Sequence, residues 1–211
     1  LVSMGRLEEA LEIAAALLSL PRSLTTEGIN RTSSDLLLLG RRLHAQAAMQ
    51  AGKSEHVIHL FRNDPRFAST PRSPQEAAQA NYWTGLALCS LERPDEARSI
   101  ALSLAKMARR YEDDPLIGAW ADGLTYFHAL TSQEDPGGHH SPPHLPAGIH
   151  SAAWQKLKKP GIARQVARDH LEQNPRGLFA TALYCSTSFE NGNRVAATRA
   201  FDRTFRQDVL R

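Results

Sequence analysis

The chain has 211 residues, 42% of them hydrophobic and 22% charged, so it carries enough apolar material for one large domain or two small ones, and disorder throughout is excluded. Its formal charge is only +3, and the basic residues are spread along the chain, densest in RNDPR and WQKLKKPGIAR, which is too diffuse for a nucleic-acid footprint. No apolar run approaches the ~20 residues that a bilayer span requires and no basic-then-apolar leader is present, so the expectation is a cytoplasmic protein without a membrane span.

Helical periodicity dominates. Ala and Leu are abundant, Val and Ile sparse, and no Asn-Gly or Asp-Gly turn sits between alternating runs, so the fold class is all-α. In chain order the predicted helices are Arg6–Ser19, Ser34–Ala51, Ser54–Phe61, Pro74–Leu91, Pro94–Tyr111, Leu116–Leu130, Ser151–Leu157, Gly161–Glu172, Gly177–Glu190 and Arg194–Gln207. Start signals accompany most of them: Ser73 precedes Pro74, with Gln75 and Glu76 in the first turn, where capping and acidic groups satisfy free backbone N–H groups. Most connections are short, which makes consecutive helices antiparallel neighbours and the chain a run of helical hairpins. The exception is TSQEDPGGHHSPPHLPAG, residues 131–148, whose Pro, Gly and His content predicts a flexible insertion loop. Cys89 and Cys185 lie far apart within helical patterns and read as free thiols in a reducing compartment.

The hairpins resemble one another. In GRLEEALEIAAALLSLP, GKSEHVIHLFRNDP, ERPDEARSIALSLA and GNRVAATRAFDRTF a turn position is followed five residues later by Ala10, Val57, Ala97 or Ala197, and four residues beyond by Ala14, Phe61, Ala101 or Phe201. A small residue and then an apolar one, a helical turn apart, lets the second helix approach the first closely. KPGIARQVARDHLEQNP adds Ala163 and Ala167 at the same spacing and ends in Pro175.

Those small residues, with Gly85 a dozen positions before Ala97, Gly123 repeating the first half in GAWADGLTYFHAL, polar turns and a terminal Pro, resemble the tetratricopeptide repeat. The resemblance covers most of the chain and implies a right-handed superhelical solenoid of antiparallel helix pairs, about four hairpins plus a leading half-repeat, forming one domain over 1–211. The steps between the small residues are 47, 40, 66 and 34, so only the last equals the family's unit. The 47 is assigned to an inserted loop, PRSLTTEGINRTSS, and the 66 to one repeat split by an insertion, with Gly123 in its first half and Ala163 in its second. Two degenerate repeats, or a packed bundle of unrelated connectivity, are the competing readings. Because Arg6–Ser19 has no upstream partner helix, the chain is expected to be a segment of a longer array.

Signals for chemistry are sparse. His139, His140, His144 and His150 cluster around the Pro-rich loop, but no Cys accompanies them and no helical spacing orients them, so no metal and no cofactor are expected. YEDDP, residues 111–115, reads as a polar turn leading into Pro115. The chain has no Gly-rich phosphate loop, nucleophile elbow, His-Glu-x-x-His or Cys-x-x-Cys, and it is read as a non-enzyme.

What remains is surface. In the tetratricopeptide family the first helices of successive hairpins line a concave groove that holds a peptide or a partner helix. Carried over by register, the resemblance places Arg42, Gln46 and Met49 on that wall, then Tyr82, Leu86 and Cys89, then Trp120, Leu124 and His128, then Ala182, Ser186 and Phe189. Tyr82 and Trp120 suit the role of anchors, because rigid aromatics dominate contact energy where they are desolvated; the competing role for Tyr82, Trp83 and Trp120 is inter-helix core. Some family members clamp a terminal carboxylate with basic residues of neighbouring repeats. Arg42 and Gln46 fall at two comparable places, but Ile117 and Ala121 stand where basic groups would be wanted, which implies a more apolar ligand. The expected function is a non-catalytic scaffold or adaptor module that binds another protein or peptide. The alternative is a sensor segment of a larger regulator or enzyme whose working domain lies outside this chain.

Overall fold

The computed structural model describes Glu9, Glu12, Ile13 and residues 27–63, 73–134, 136, 142–175 and 177–209. Among them it is all-helical, with nine helices besides the helical turn at Glu9, Glu12 and Ile13. These are α1 (Glu27–Gln50), α2 (Ser54–Asn63), α3 (Pro74–Ser90), α4 (Pro94–Arg110), α5 (Pro115–Thr131), α6 (Ala147–Lys156), α7 (Pro160–Gln173), α8 (Leu178–Glu190) and α9 (Arg194–Val209). Ala10 and Ala14 lie outside the described residues. Helix α1 begins seven residues before the predicted Ser34, so the second half of the expected loop at 21–34 is helical.

The chain divides into two compact units, Leu7–Leu145 and Pro146–Arg211. In the first, α1 packs on α2 and α3, α2 on α3, α3 on α4 and α5, and α4 on α5. The alternate helices α1, α3 and α5 are thus direct neighbours, with α2 and α4 each packed between two of them in sequence. In the second unit α6 pairs with α7, α7 meets α8, and α8 pairs with α9. The helix carrying Ala163 is therefore the partner of α6 and not the detached half of a split repeat. Its own first helix is present, four residues longer at its start than the sequence predicts.

Four hairpin turns share one backbone geometry. Gly52, Glu92, Lys158 and Gly192 all adopt positive φ, at 73°, 58°, 56° and 73°. In each, the next residue's N–H reaches back five positions: Lys53 to Ala48 O at 2.8 Å, Arg93 to Leu88 O at 3.0 Å, Lys159 to Trp154 O at 3.0 Å and Asn193 to Ser188 O at 2.8 Å. This is the Schellman closure, which satisfies carbonyls that the helix end leaves unpaired. The following helix starts two residues after the positive-φ position in every case. Five residues after that position stand Val57, Ala97, Ala163 and Ala197, all fully buried. One turn farther, Phe61, Ala101 and Ala167 are buried, whereas Phe201 on the last helix is exposed.

Helix starts follow the sequence signals. Ser73 Oγ accepts the Glu76 N–H at 3.2 Å. Asp114 Oδ1 accepts from Leu116 and Ile117 N–H at 3.1 and 3.4 Å, while its Oδ2 accepts from Gln75 Nε2 on α3 at 2.8 Å. The polar YEDDP turn thus fastens the start of α5 to the start of α3. Asp114→Ala should lower unfolding stability by about 1 kcal/mol, the ordinary worth of an N-cap. A urea midpoint unchanged from the parent chain would show that the cap carries no weight.

Candidate binding groove

The site lies in the first unit, where α1, α3 and α5 each present one residue to the segment Pro142–His144. On α5, Gly123 is buried against the two prolines: a Cβ built on it would stand 2.8 Å from Pro143 Cδ and 3.2 Å from Pro142 Cβ. On α3, the Tyr82 hydroxyl donates to the Pro143 carbonyl at 2.5 Å. On α1, Arg42 Nη1 donates to His144 Nε2 at 3.3 Å. The segment closes its own turn through Leu145 N–H to Pro142 O at 3.2 Å, with His144 at φ 58°. It therefore crosses three helices in the order α5, α3, α1. Far from being an open loop, these residues lie across the face on which the sequence placed a ligand. The insertion is also shorter than 131–148, since α5 runs through Thr131 and α6 begins at Ala147.

Of the expected wall residues, Arg42 and Tyr82 meet the segment directly, and Trp120 joins them with its ring stacked on Tyr82 at 6.1 Å between centroids. Tyr82 and Trp120 are 0% and 3% exposed, so neither offers free surface. Leu86 and Leu124 are wholly buried, and Leu124 is the side chain that Gly85 faces. Met49 and Cys89 are likewise buried. Gln46 is half-buried, one turn beyond Arg42 on α1. His128 donates from Nε2 to the Pro94 carbonyl at 3.0 Å, at the start of α4. Phe189 is 51% exposed on α8 in the second unit, alongside exposed Ala182 and Ser186. Gly123 and the docked prolines were absent from the expected wall. Their signal was a glycine on α5, followed after the third inner helix by a Pro-Pro pair.

Three polar groups of this face, Tyr82 Oη, Trp120 Nε1 and Arg42, present donors. Burial pushes the Tyr82 phenol far above its ordinary range, so it stays protonated and donates. The Trp120 indole Nε1 and Arg42 Nε are buried without a hydrogen-bond acceptor. A buried donor left unpaired costs about 1–3 kcal/mol. No carboxylate among the described residues forms an ion pair with Arg42.

His144 is held below its ordinary pKa of 6.5 by partial burial first and by the Arg42 guanidinium second. A depressed imidazole pKa leaves docking at full strength above 6.5; docking weakens as pH falls from there through the lowered value, when a second cation forms 3.3 Å from Arg42. The protection of Trp120 from an aqueous quencher should accordingly fall between about pH 7 and about pH 5, the window in which histidines titrate. The loss should vanish in His144→Ala. Quenching that is flat with pH in the parent chain would contradict the Arg42–His144 contact.

His139 and His140 lie outside the described residues, and His150 is a buried α6 side chain whose Nε2 accepts from Trp154 Nε1 at 3.2 Å. Among the described residues no three His, Cys, Asp or Glu side chains converge to hold a metal. Both cysteines are free; burial pushes the Cys89 thiol up to about 11, and Cys185 donates to the Ala197 carbonyl. No described helix is long and apolar enough to cross a membrane. Compared with known proteins, the chain matches no family model, no curated protein and no solved structure.

Proposed function

We propose that the chain is a non-catalytic interaction module, a degenerate tetratricopeptide-like solenoid in which α1, α3 and α5 form a groove for a segment of another protein. The observation that carries this reading is the course of residues 142–144, a stretch of backbone already seated across all three helices through Gly123, Tyr82 and Arg42. Two features support the array. The same Schellman turn is used in four hairpins, and the first helices of successive hairpins in the first unit are direct neighbours. The groove's chemistry supports binding over catalysis: a phenol kept protonated by burial, an indole and a guanidinium supply donors but neither base nor nucleophile.

The test is selection from a random peptide display library on the folded chain, followed by nuclear magnetic resonance of the tryptophan indole N–H signals. Selected peptides should move the Trp120 signal, identified by its loss in Trp120→Phe. Binders that leave it unmoved and perturb other surfaces would sink the groove assignment.

A further inference from the structure

We infer that the groove is a proline-recognition site, occupied in this chain by its own Pro142–Pro143–His144, and that its ligand in trans is a Pro-Pro segment of another protein followed by an acidic residue. This rests on the groove reading and adds the chemical class of the occupant.

The first argument is the donor-rich wall. Tyr82 Oη donates to Pro143, and Trp120 Nε1 and Arg42 Nε are buried donors without an acceptor. A peptide buried there must supply carbonyls and must not bring unpaired N–H groups. A Pro-Pro pair meets both conditions, because each proline has a carbonyl and no N–H. The second argument is shape. Gly123 leaves room for a pyrrolidine ring against the α5 backbone, and Tyr82, stacked on Trp120, reaches the Pro143 carbonyl through its hydroxyl; aromatics with hydroxyl or indole donors suit proline-rich segments.

The third argument is that the resident segment fits imperfectly. It satisfies Tyr82 but leaves Trp120 Nε1 and Arg42 Nε without acceptors. It places an imidazole rather than an anion on Arg42, and it holds His144, a residue with a Cβ, in the left-handed region at φ 58°. A ligand with the same two prolines and a carboxylate in place of the imidazole would give Arg42 a charge-assisted partner. A cis segment so fitted can be displaced, since its advantage is its high effective concentration and not its contacts.

The probe is a peptide of this chain's residues 140–146, with a second peptide carrying His144→Glu and a third with both prolines replaced by Ala. The receptor is the full chain with Pro142→Gly and Pro143→Gly, which removes the ring contacts of the resident segment. If that double variant loses its helical circular-dichroism signal, Pro143→Ala alone serves. The Trp120 indole signal should respond to the first peptide in the opened receptor and several-fold less in the parent chain. The His144→Glu peptide should bind several-fold more tightly, the Ala peptide should be silent, and Gly123→Ala in the receptor should abolish the response. A folded, opened receptor whose Trp120 signal ignores the proline peptides at millimolar concentration overturns the inference. If that signal still answers to library-selected peptides lacking proline, only the proline assignment falls; if it answers to neither, the groove reading falls with it.

Discussion

Glu76→Ala is expected to destabilise the first unit by about 3–5 kcal/mol, the largest single-site loss outside the aromatic core. Arg41 Nη1 on α1 and Glu76 Oε2 on α3 pair at 3.4 Å with side chains only 2% and 3% exposed, so the bond ties two neighbouring helices across a dry contact. Taking a guanidinium and a carboxylate out of water costs several kcal/mol each, and their mutual attraction offsets that only while both are present. Deleting the carboxylate therefore removes a buried guanidinium's charge partner on α3 while the cost of burying that cation remains. Arg41→Met combined with Glu76→Leu removes both charges and should recover most of the loss, which separates the cost of breaking the pair from its net worth. Urea unfolding of the single and double variants reads this directly, with hydrogen exchange in α1 rising first in Glu76→Ala. A loss under about 1 kcal/mol, the value of a screened surface pair, would mean that water reaches the site.

That pair also marks a limit of what the sequence could disclose. Ser73 and Glu76 are recognisable together as a helix start, and the Ser73 cap forms. Nothing in a single chain tells that the Glu76 carboxylate meets an arginine 35 positions upstream. Helix existence was legible nearly everywhere, because Ala and Leu at helical spacing, bounded by Pro at N1 and polar turns, leave few alternatives. The turn register was legible too, since the buried Val57, Ala97, Ala163 and Ala197 follow it at constant spacing. Its cause was less visible: two of the four left-handed positions carry Glu92 and Lys158, not glycine, and only the backbone shows that they are equivalent.

Two readings failed for physical reasons. The 21–34 stretch looked like a loop because its Ser and Thr residues favour caps and turns, yet α1 extends through its second half to Glu27. The interval between Ala97 and Ala163 looked like one repeat interrupted by an insertion, because the short α6 has a weak apolar pattern and its histidine read as part of a polar loop. In fact His150 is buried and accepts from Trp154, and α6 has α7 as its partner. At the candidate groove, register brought Arg42, Tyr82 and Trp120 to one place. It could not foresee that residues 142–144 lie over them, since that docking depends on what Gly123 lacks and on which carbonyl Tyr82 finds.

The role of Gly123 is best exposed against Gly85, its counterpart on the preceding inner helix. Both sit inside helices, where replacing Gly by Ala should gain up to about 1 kcal/mol from backbone entropy alone. At Gly85 that gain is outweighed. The new Cβ would lie 2.5 and 2.8 Å from the two Leu124 methyls and 3.2 Å from its Cγ, and Leu124 is wholly buried with no free space to swing into. Forcing α3 and α5 apart or Leu124 off its rotamer costs about 1–3 kcal/mol, so Gly85→Ala should lower the melting temperature by several degrees, at roughly 2–4 °C per kcal/mol for a chain of this size. At Gly123 the obstructed atoms belong to Pro142 and Pro143, in a segment between helices that the Tyr82 hydrogen bond ties to α3. There the segment gives way and the helix keeps the propensity gain. Gly123→Ala should hold or raise the melting temperature while making Trp120 more accessible to quencher. A neutral Gly85→Ala would show that Leu124 can move and that α3 and α5 are not in close contact at this point.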